Sequence, residues 1–358
     1  MRQKNINFIV GNINSIGGVE TVTETLAGEF FSRGSNVTIH SIYSRVTQKP
    51  GLTNYQIIHY SLPEPDMQDS VFSKIKVVIK NGLNLFFNLH GIRDFCIFQG
   101  FYVGIYMPFL TKRTVVKIIC EHNSHDAPSK LSRLARRILY RLCKPIVVVL
   151  SKADKNYFDA IGVKSHVILN PVPRLCSDNQ QATRQHLQLI SLGRFTSQKR
   201  FDLMIRICGN LLQTHPDWRL TLQGDGEEHE KIIKEIKNLK SQEQIEILPL
   251  GDPRALYSRG SIFLMTSQFE GLPMSLIEAI SFGLPVVAMN CSGGLAEIIK
   301  NDQNGYLTPM DSEESFIEKV RLLMENENLW RTLSDGAKNS SQKFAPGAII
   351  SEWEKILK

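Results

Sequence analysis

The chain has 358 residues, 42% of them hydrophobic and 22% charged, with 24 Gly and 15 Pro spread along it. This profile excludes a disordered, collagen-like or low-complexity chain, and at ~150 residues per domain it suggests two domains. The formal net charge is +7: residues 1–175 hold 22 Lys+Arg and 11 Asp+Glu (+11), and residues 176–358 hold 20 and 24 (−4), so an anionic surface or ligand is expected near the first half.

The opening MRQKNINFIVG runs straight into a strand pattern, without the apolar core and small-residue cleavage site of a secretory signal, so none is expected. After a strand at 6–10, Gly17-Gly18-Val19-Glu20 precedes a helix. Paired glycines let backbone approach a phosphate, and a helix N-terminus offers unpaired N–H groups. The G-x-G-x-x-G spacing of a nicotinamide site is absent, and a plain loop before a helix is the other reading. Strands are expected at 36–43 and 55–62. Residues 71–92 are greasy, but Lys74, Lys76 and Lys80 interrupt them, and the longest purely apolar run is Ile146–Leu150. Nothing approaches the ~18 apolar residues of a spanning helix. Strands follow at 95–100 and 115–121.

SKLSRLARRILYRLCK, 129–144, carries Lys130, Arg133, Arg136, Arg137, Arg141 and Lys144 and no acid. Leu131, Leu134, Ala135, Ile138, Leu139 and Leu142 recur in it at helical spacing. Such a helix can lie on an anionic membrane; alternatively it packs its apolar stripe into its own domain. No nucleic-acid-binding signature accompanies the charge. Strands at 146–151 and 166–170 close the first half. PVPRLCSDNQQATRQH, 171–186, lacks periodicity and reads as a linker.

The cycle then restarts, with strands at 187–193, 219–224, 245–250, 262–267, 285–289 and 306–309 separated by helical patterns. Two consecutive parallel α/β units follow from this alternation, with a ligand cleft expected between them at the carboxyl ends of both sheets. Cysteines at 96, 120, 143, 176, 208 and 291 form no C-x-x-C pair, so free thiols in a reducing, cytoplasmic compartment are expected.

Three segments of the second half carry chemistry. In LGRFTSQKRFDLMI, 192–205, Arg194 and Lys199 flank a turn that opens a helix. A planar fork and a point charge beside a helix N-terminus make a diphosphate clamp. In FEGLPMSLIEAISFGLPVVA, 269–288, Glu270 lies in a loop and Glu278 on the helix begun near Met274 or Ser275. Carboxylates suit sugar diols because each oxygen accepts two hydrogen bonds. Glu278 stands among Leu276, Ile277, Ala279 and Ile280, where an unpaired carboxylate would be costly. Finally, no Asp-x-Asp occurs anywhere in the chain.

With SLGRFTSQKRFDLMI, QGDGEE, FEGLPMSLIEAISFGLPVVA, SGGLAEII and DQNGYL in this order, the chain resembles retaining glycosyltransferases of family 4, of the bacterial surface-polysaccharide (O-antigen or exopolysaccharide) type. The resemblance runs along nearly the whole chain and is stronger in the second half. It implies an α/β GT-B fold, two Rossmann-like doubly wound domains facing across a cleft. Residues 1–172 would bind acceptor, with the C-terminal helix 346–358 packing back on them, and residues 173–345 would bind the nucleotide sugar. Arg194 and Lys199 would hold the donor diphosphate, Glu270 the transferred sugar and Glu278 the nucleotide ribose. Gly271, Leu272, Pro273, Met274 and Ser275 would supply backbone contacts, and Gly17 and Gly18 a phosphate-facing loop. His122, in CEHNSH, matches the family's histidine after a central strand and would lie near the donor sugar. With His125 it makes H-x-x-H, but no third metal ligand accompanies them.

The implied reaction moves a hexose or N-acetylhexosamine, from a UDP-sugar, onto a polyprenyl-diphosphate-linked glycan at the inner face of the cytoplasmic membrane. It would need no cofactor or metal, because the cationic clamp replaces the metal-holding Asp-x-Asp. It would proceed by front-face attack, the leaving phosphate taking the acceptor's proton. A sugar-nucleotide 2-epimerase, a GDP-mannose-dependent mannosyltransferase and a nucleotide-sugar-binding protein without catalysis are the alternatives.

Overall fold

Runs such as Phe8-Ile9-Val10 and Val147-Val148-Val149 are apolar on both faces of the pleat, and every one of these side chains is buried. Strands of this kind need helices on both sides. The computed structural model describes residues 3–15, 17–43, 55–66, 70–110, 114–125, 129–173, 184–291, 294–310 and 312–358. They form two units, Met1–Pro173 with Pro346–Lys358, and Arg174–Ala345. Of the linker expected over 171–186, residues 174–183 lie outside the described residues, and so does Cys176.

The first unit contains β1 (Asn5–Val10), α1 (Gly18–Ser32), β2 (Asn36–Ser41), β3 (Gln56–His59), α2 (Val71–Asn88), β4 (Phe95–Gln99), α3 (Phe101–Gly104), β5 (Val116–Cys120), α4 (Lys130–Cys143), β6 (Ile146–Val149), α5 (Lys152–Ala160) and β7 (Ser165–Val167). Its sheet is wholly parallel, in the order β3-β2-β1-β4-β5-β6-β7. Ser129 and Ser151 start α4 and α5 by accepting hydrogen bonds from the Ser132 and Asp154 N–H groups, the usual N-cap device. On one face of the sheet, Ile9, Phe98, Ile119 and Val149 form a single core with Leu85 of α2, Tyr140 of α4 and Phe158 of α5. On the other, Phe8 packs on Phe30 of α1 at 6.3 Å between centroids.

Between its two sequence readings, α4 departs from the one that packs its leucines inward. Arg136 and Tyr140 face the sheet instead. There Arg136 pairs with buried Glu121 at 3.2 Å and lies 5.0 Å over the Phe101 ring, and the Tyr140 hydroxyl donates to Glu121. Burial pushes the Glu121 carboxyl up from its ordinary value, and Arg136 and Tyr140 pull it back.

The second unit contains β8 (Gln188–Leu192), α6 (Phe201–Leu212), β9 (Arg219–Gln223), α7 (His229–Lys237), β10 (Ile245–Leu248), α8 (Arg254–Arg259), β11 (Ile262–Met265), α9 (Met274–Ser281), β12 (Val286–Met289), α10 (Leu295–Ile298), β13 (Gly305–Thr308), α11 (Glu313–Glu325) and α12 (Glu327–Ser341). Its parallel sheet runs β10-β9-β8-β11-β12-β13. Each of the thirteen strands among the described residues overlaps one of the thirteen expected runs. The last helix, α13 (Pro346–Ile356), belongs to the first unit. Trp353 meets Phe30 edge-on at 6.2 Å, Arg33 pairs with Glu354 at 3.1 Å, and Lys4 Nζ donates to the Leu357 carbonyl at 2.7 Å. The described cysteines are free thiols, all buried except half-buried Cys143.

Candidate active site

In the second unit β8 and β11 lie side by side, yet β8 leads away to β9 and β11 to β12 on the opposite side. Loops leaving the carboxyl ends of two such strands diverge, and the crevice between them is where open parallel sheets bind ligands. Arg194 and Lys199 lie on the loop after β8, and Glu270 on the loop after β11.

Several bonds stitch these two loops together. The Gln268 N–H donates to the Gln198 carbonyl at 2.8 Å, and the Gln198 side-chain amide donates to the Phe269 carbonyl at 2.8 Å. Thr266 Oγ1 donates to the Arg200 carbonyl at 2.9 Å. Phe195, fully buried against Phe201 at 4.9 Å between centroids, anchors the first loop. Its neighbour Arg194 points outward. It is exposed, and its side chain makes no hydrogen bond or ion pair with the described residues. The glycines of QGDGEE are required by close approach. A Cβ at Gly224 would lie 2.0 Å from the Gly193 carbonyl oxygen, and one at Gly226 would lie 2.5 Å from that of Phe195. Gly224→Ala is therefore expected to cost about 1–3 kcal/mol in stability. It should also weaken nucleotide binding, because the loop carrying Arg194 and Lys199 must shift. Calorimetry on the purified variant checks both.

The structure brings Lys199 and Glu270 together. Lys199 Nζ donates to Glu270 Oε1 at 2.7 Å, with only 21% and 9% of the two side chains exposed. They form one unit, a cation joined to a carboxylate at the mouth of the switch point. Cys291, just beyond β12, lies in the field of both. Burial pushes its thiol up to about 12, with Glu270 adding to the rise and Lys199 opposing it. Gly294 N–H donates to the Gly271 carbonyl at 2.6 Å and ties the loop after β12 to the glutamate loop.

Gly271, Leu272 and Pro273 are buried, and Pro273 caps α9. The N–H groups of Met274 and Ser275 head that helix, before any intrahelical carbonyl they could reach. Glu278 lies one turn further on and is 8% exposed. The cost of an unpaired carboxylate there is met in part inside the protein: the Tyr257 hydroxyl of α8 donates to Glu278 Oε2 at 2.7 Å. Burial still raises the Glu278 pKa to about 7, against the pull of Tyr257.

In the first unit the corresponding strand ends are those of β1 and β4, and β5 lies beside β4. His122, two residues past β5, has Nε2 2.7 Å from Gln99 Oε1 at the end of β4. Burial lowers its pKa to about 4 and so favours the neutral ring. His125 is used differently. Its Nδ1 is 2.8 Å from Asp154 Oδ1 and its ring stacks on Tyr157, so the H-x-x-H pair does not converge. Among the described residues no group of three or more His, Cys, Asp and Glu side chains is placed to hold a metal ion. Gly17 is extended (φ −172°), so no special backbone freedom is used there. Gly18 opens α1, and Glu20 in the first turn accepts from Ser15 Oγ at 2.8 Å.

Residues 177–340 match the family described as Glycosyl transferases group 1. The chain is a glycosyltransferase of the GT-B fold. The matched span of the glycosyltransferase holds Arg194, Lys199, Glu270 and Glu278; Gly17, Gly18 and His122 lie outside it. The enzyme is 29% identical over 362 residues to the amylovoran biosynthesis glycosyltransferase AmsD of Erwinia amylovora, covering 98% of each chain. Over 67% of each chain it is 26% identical to an α-1,4-N-acetyl-D-galactosaminyltransferase of Campylobacter jejuni, named for a diNAcBac-PP-undecaprenol-linked substrate. Its fold matches S. aureus TarM, solved with UDP, with a TM-score of 0.83 at 14% identity, covering 99% of this chain and 100% of that one.

Tyr257, Cys291 and Gln99 were not legible as site residues in the glycosyltransferase sequence. Tyr257 sits in a short helix like any core aromatic, and Cys291 carries no motif. Gln99 is the last residue of an apolar strand, and only its polarity there hints at a role.

Proposed function

We propose that this glycosyltransferase transfers a hexose or N-acetylhexosamine from a UDP-sugar to a polyprenyl-diphosphate-linked oligosaccharide in bacterial surface-polysaccharide synthesis. The reaction retains the anomeric configuration and needs no metal. The observation that carries the reading is the Lys199–Glu270 pair at the switch point beside the head of α9. The activities for which AmsD and the Campylobacter enzyme are named support the glycan class, and UDP in the TarM structure supports the nucleotide.

In this reading Lys199, Arg194 and the N–H groups of Met274 and Ser275 take the charge that develops on the leaving diphosphate. Glu270 accepts hydrogen bonds from the sugar hydroxyls and Glu278 from the ribose diol. The acceptor oxygen bonds to the anomeric carbon as the carbon–oxygen bond to the diphosphate breaks. The acceptor's hydroxyl proton passes to a leaving phosphate oxygen. Acceptor binding falls to the first unit, whose His122 accepts or relays a hydrogen bond near the donor sugar and whose Gly17 and Gly18 form a phosphate-facing loop. The reaction takes place at the inner face of the cytoplasmic membrane, where such an acceptor is embedded.

The test is incubation of the enzyme with UDP-sugars and lipid-linked acceptor in excess EDTA, followed by proton NMR of the anomeric signal. An α-linked product from an α-linked donor is expected. Loss of activity in EDTA would overturn the cationic clamp, and a β-linked product would overturn retention.

A further inference from the structure

Helices that cover a sheet usually turn their apolar stripe inward and leave charge outside. Two helices of the first unit break this rule on the same side of the sheet. Both α2 and α4 are seated in the one core built on Ile9, Phe98, Ile119 and Val149, so their outer surfaces belong to one layer. On α2 the buried positions include Asn81 and Leu85, with Leu89 buried at its C-cap, while Phe72, Ile75, Ile79, Leu83, Phe86 and Phe87 are exposed. These recur every three or four residues and so form a solvent-facing stripe, with Phe72 80% and Phe87 69% exposed. On α4, Leu131, Leu134, Ile138 and Leu142 do the same, with Leu131 77% and Leu142 76% exposed. Contiguous apolar surface of this kind on a folded unit marks an interaction site.

The charge beside the stripes is of one sign. Lys76 and Lys80 are exposed along α2, and Lys130, Arg137, Arg141 and Lys144 along α4. No acid occurs in residues 70–93 or 129–144. Apolar residues flanked by lysine and arginine fit the boundary of an anionic bilayer, with the side chains entering the acyl region and the cations on the headgroups. Among the described residues no helix is long and apolar enough to cross a membrane, and both stripes lie along their helices, as an element parallel to the surface requires.

We propose that the outer faces of α2 and α4 form one membrane-docking surface for an anionic phospholipid bilayer, in which the α2 phenylalanines insert and the α4 arginines bind headgroups. The surface deepens the reading of a lipid-linked acceptor and rests on it for the choice of partner. Its test uses neither donor nor acceptor, so it can fail while the enzymatic reading stands.

The experiment is flotation of the full chain with phosphatidylcholine vesicles, with and without phosphatidylglycerol, at low and high salt. Flotation is expected with the anionic vesicles and is only partly lost at high salt, because screening removes the headgroup attraction but not the apolar insertion. Phe72→Ser with Phe87→Ser should lower partitioning about tenfold or more, and most visibly at high salt. Arg137→Glu with Arg141→Glu should lower it about tenfold or more at low salt. Arg136 is unsuitable for this purpose because it pairs with Glu121 inside the unit. Circular dichroism and UDP calorimetry should show both double variants folded and binding nucleotide as before. No flotation at low salt, flotation unchanged by both double substitutions, equal binding to neutral vesicles, or a stable dimer that the phenylalanine substitutions dissociate would each overturn the proposal.

Discussion

Lys199→Ala is expected to lower sugar transfer about 10²–10³-fold, the usual loss when one fixed group aimed at developing charge is removed. Part of the loss comes through Glu270. The pair at 2.7 Å is largely enclosed, so removing the ammonium leaves a carboxylate with no cation beside it. That carboxylate then repels the donor diphosphate and costs about 1–3 kcal/mol of stability as an under-solvated charge. Glu270→Gln keeps an acceptor for the sugar but lacks the charge that holds Lys199, so turnover should fall more than affinity for free UDP. The double variant Lys199→Ala with Glu270→Gln should be more stable than Lys199→Ala alone, and its loss of turnover should be smaller than the two single losses combined. Kinetics and thermal unfolding of the four proteins decide the matter. Near-normal turnover in Lys199→Ala, or fully additive effects on turnover and stability, would remove the pair from the mechanism.

The pairing could not have been read from spacing, because the two residues are 71 positions apart. It exists because β8 and β11 become neighbours in the sheet while their connections run opposite ways. Periodicity reveals strands, and alternation of strands and helices reveals a parallel fold, so the thirteen strands were legible. Their ends were less so: YQIIHYSL suggests eight residues at 55–62, but β3 occupies only Gln56–His59. The motif loops were legible because glycine, proline and paired charges mark them. What holds them was not. Tyr257 reaches Glu278 from another helix, and Asp154 reaches His125 from α5.

The two outward stripes show a different limit. Periodicity finds an apolar face but does not say which face meets the core. In α4 the inward side is Arg136 and Tyr140, because Glu121 at the end of β5 supplies a buried acceptor for both. The leucines are then left outside. In α2, Lys74, Lys76 and Lys80 interrupt a greasy stretch without saying which of its faces meets the core. Only burial separates Leu85 from Leu83.

Glu278→Gln is expected to act in opposite directions on stability and on nucleotide binding. Burial raises the Glu278 pKa to about 7, above the ordinary carboxylate value that the unfolded chain retains. At acid pH the group is neutral in both states, and its burial costs little. Between the ordinary carboxylate value and about 7 the unfolded chain gives up this proton while the folded protein still holds it, so stability falls across that window and levels off above it. At pH 8 the cost is roughly 3 kcal/mol. The amide that replaces the carboxylate carries no charge and still accepts from the Tyr257 hydroxyl, so the variant should melt several degrees above the parent at pH 8 and near it at pH 5, at about 2–4 °C per kcal/mol for a domain of this size. UDP affinity should move the other way and fall about 10–100-fold, since an ionised carboxylate accepting from two ribose hydroxyls is replaced by one neutral oxygen. In the parent, affinity should rise with pH through 7 as the carboxylate ionises. Tyr257→Phe should push that rise to higher pH, because the hydroxyl that favours the ionised form is gone. Thermal melts and UDP calorimetry from pH 5 to pH 8 test all of this. A variant no more stable than the parent at pH 8, or one that binds UDP equally well, would mean that Glu278 is a structural carboxylate and that the ribose is held elsewhere.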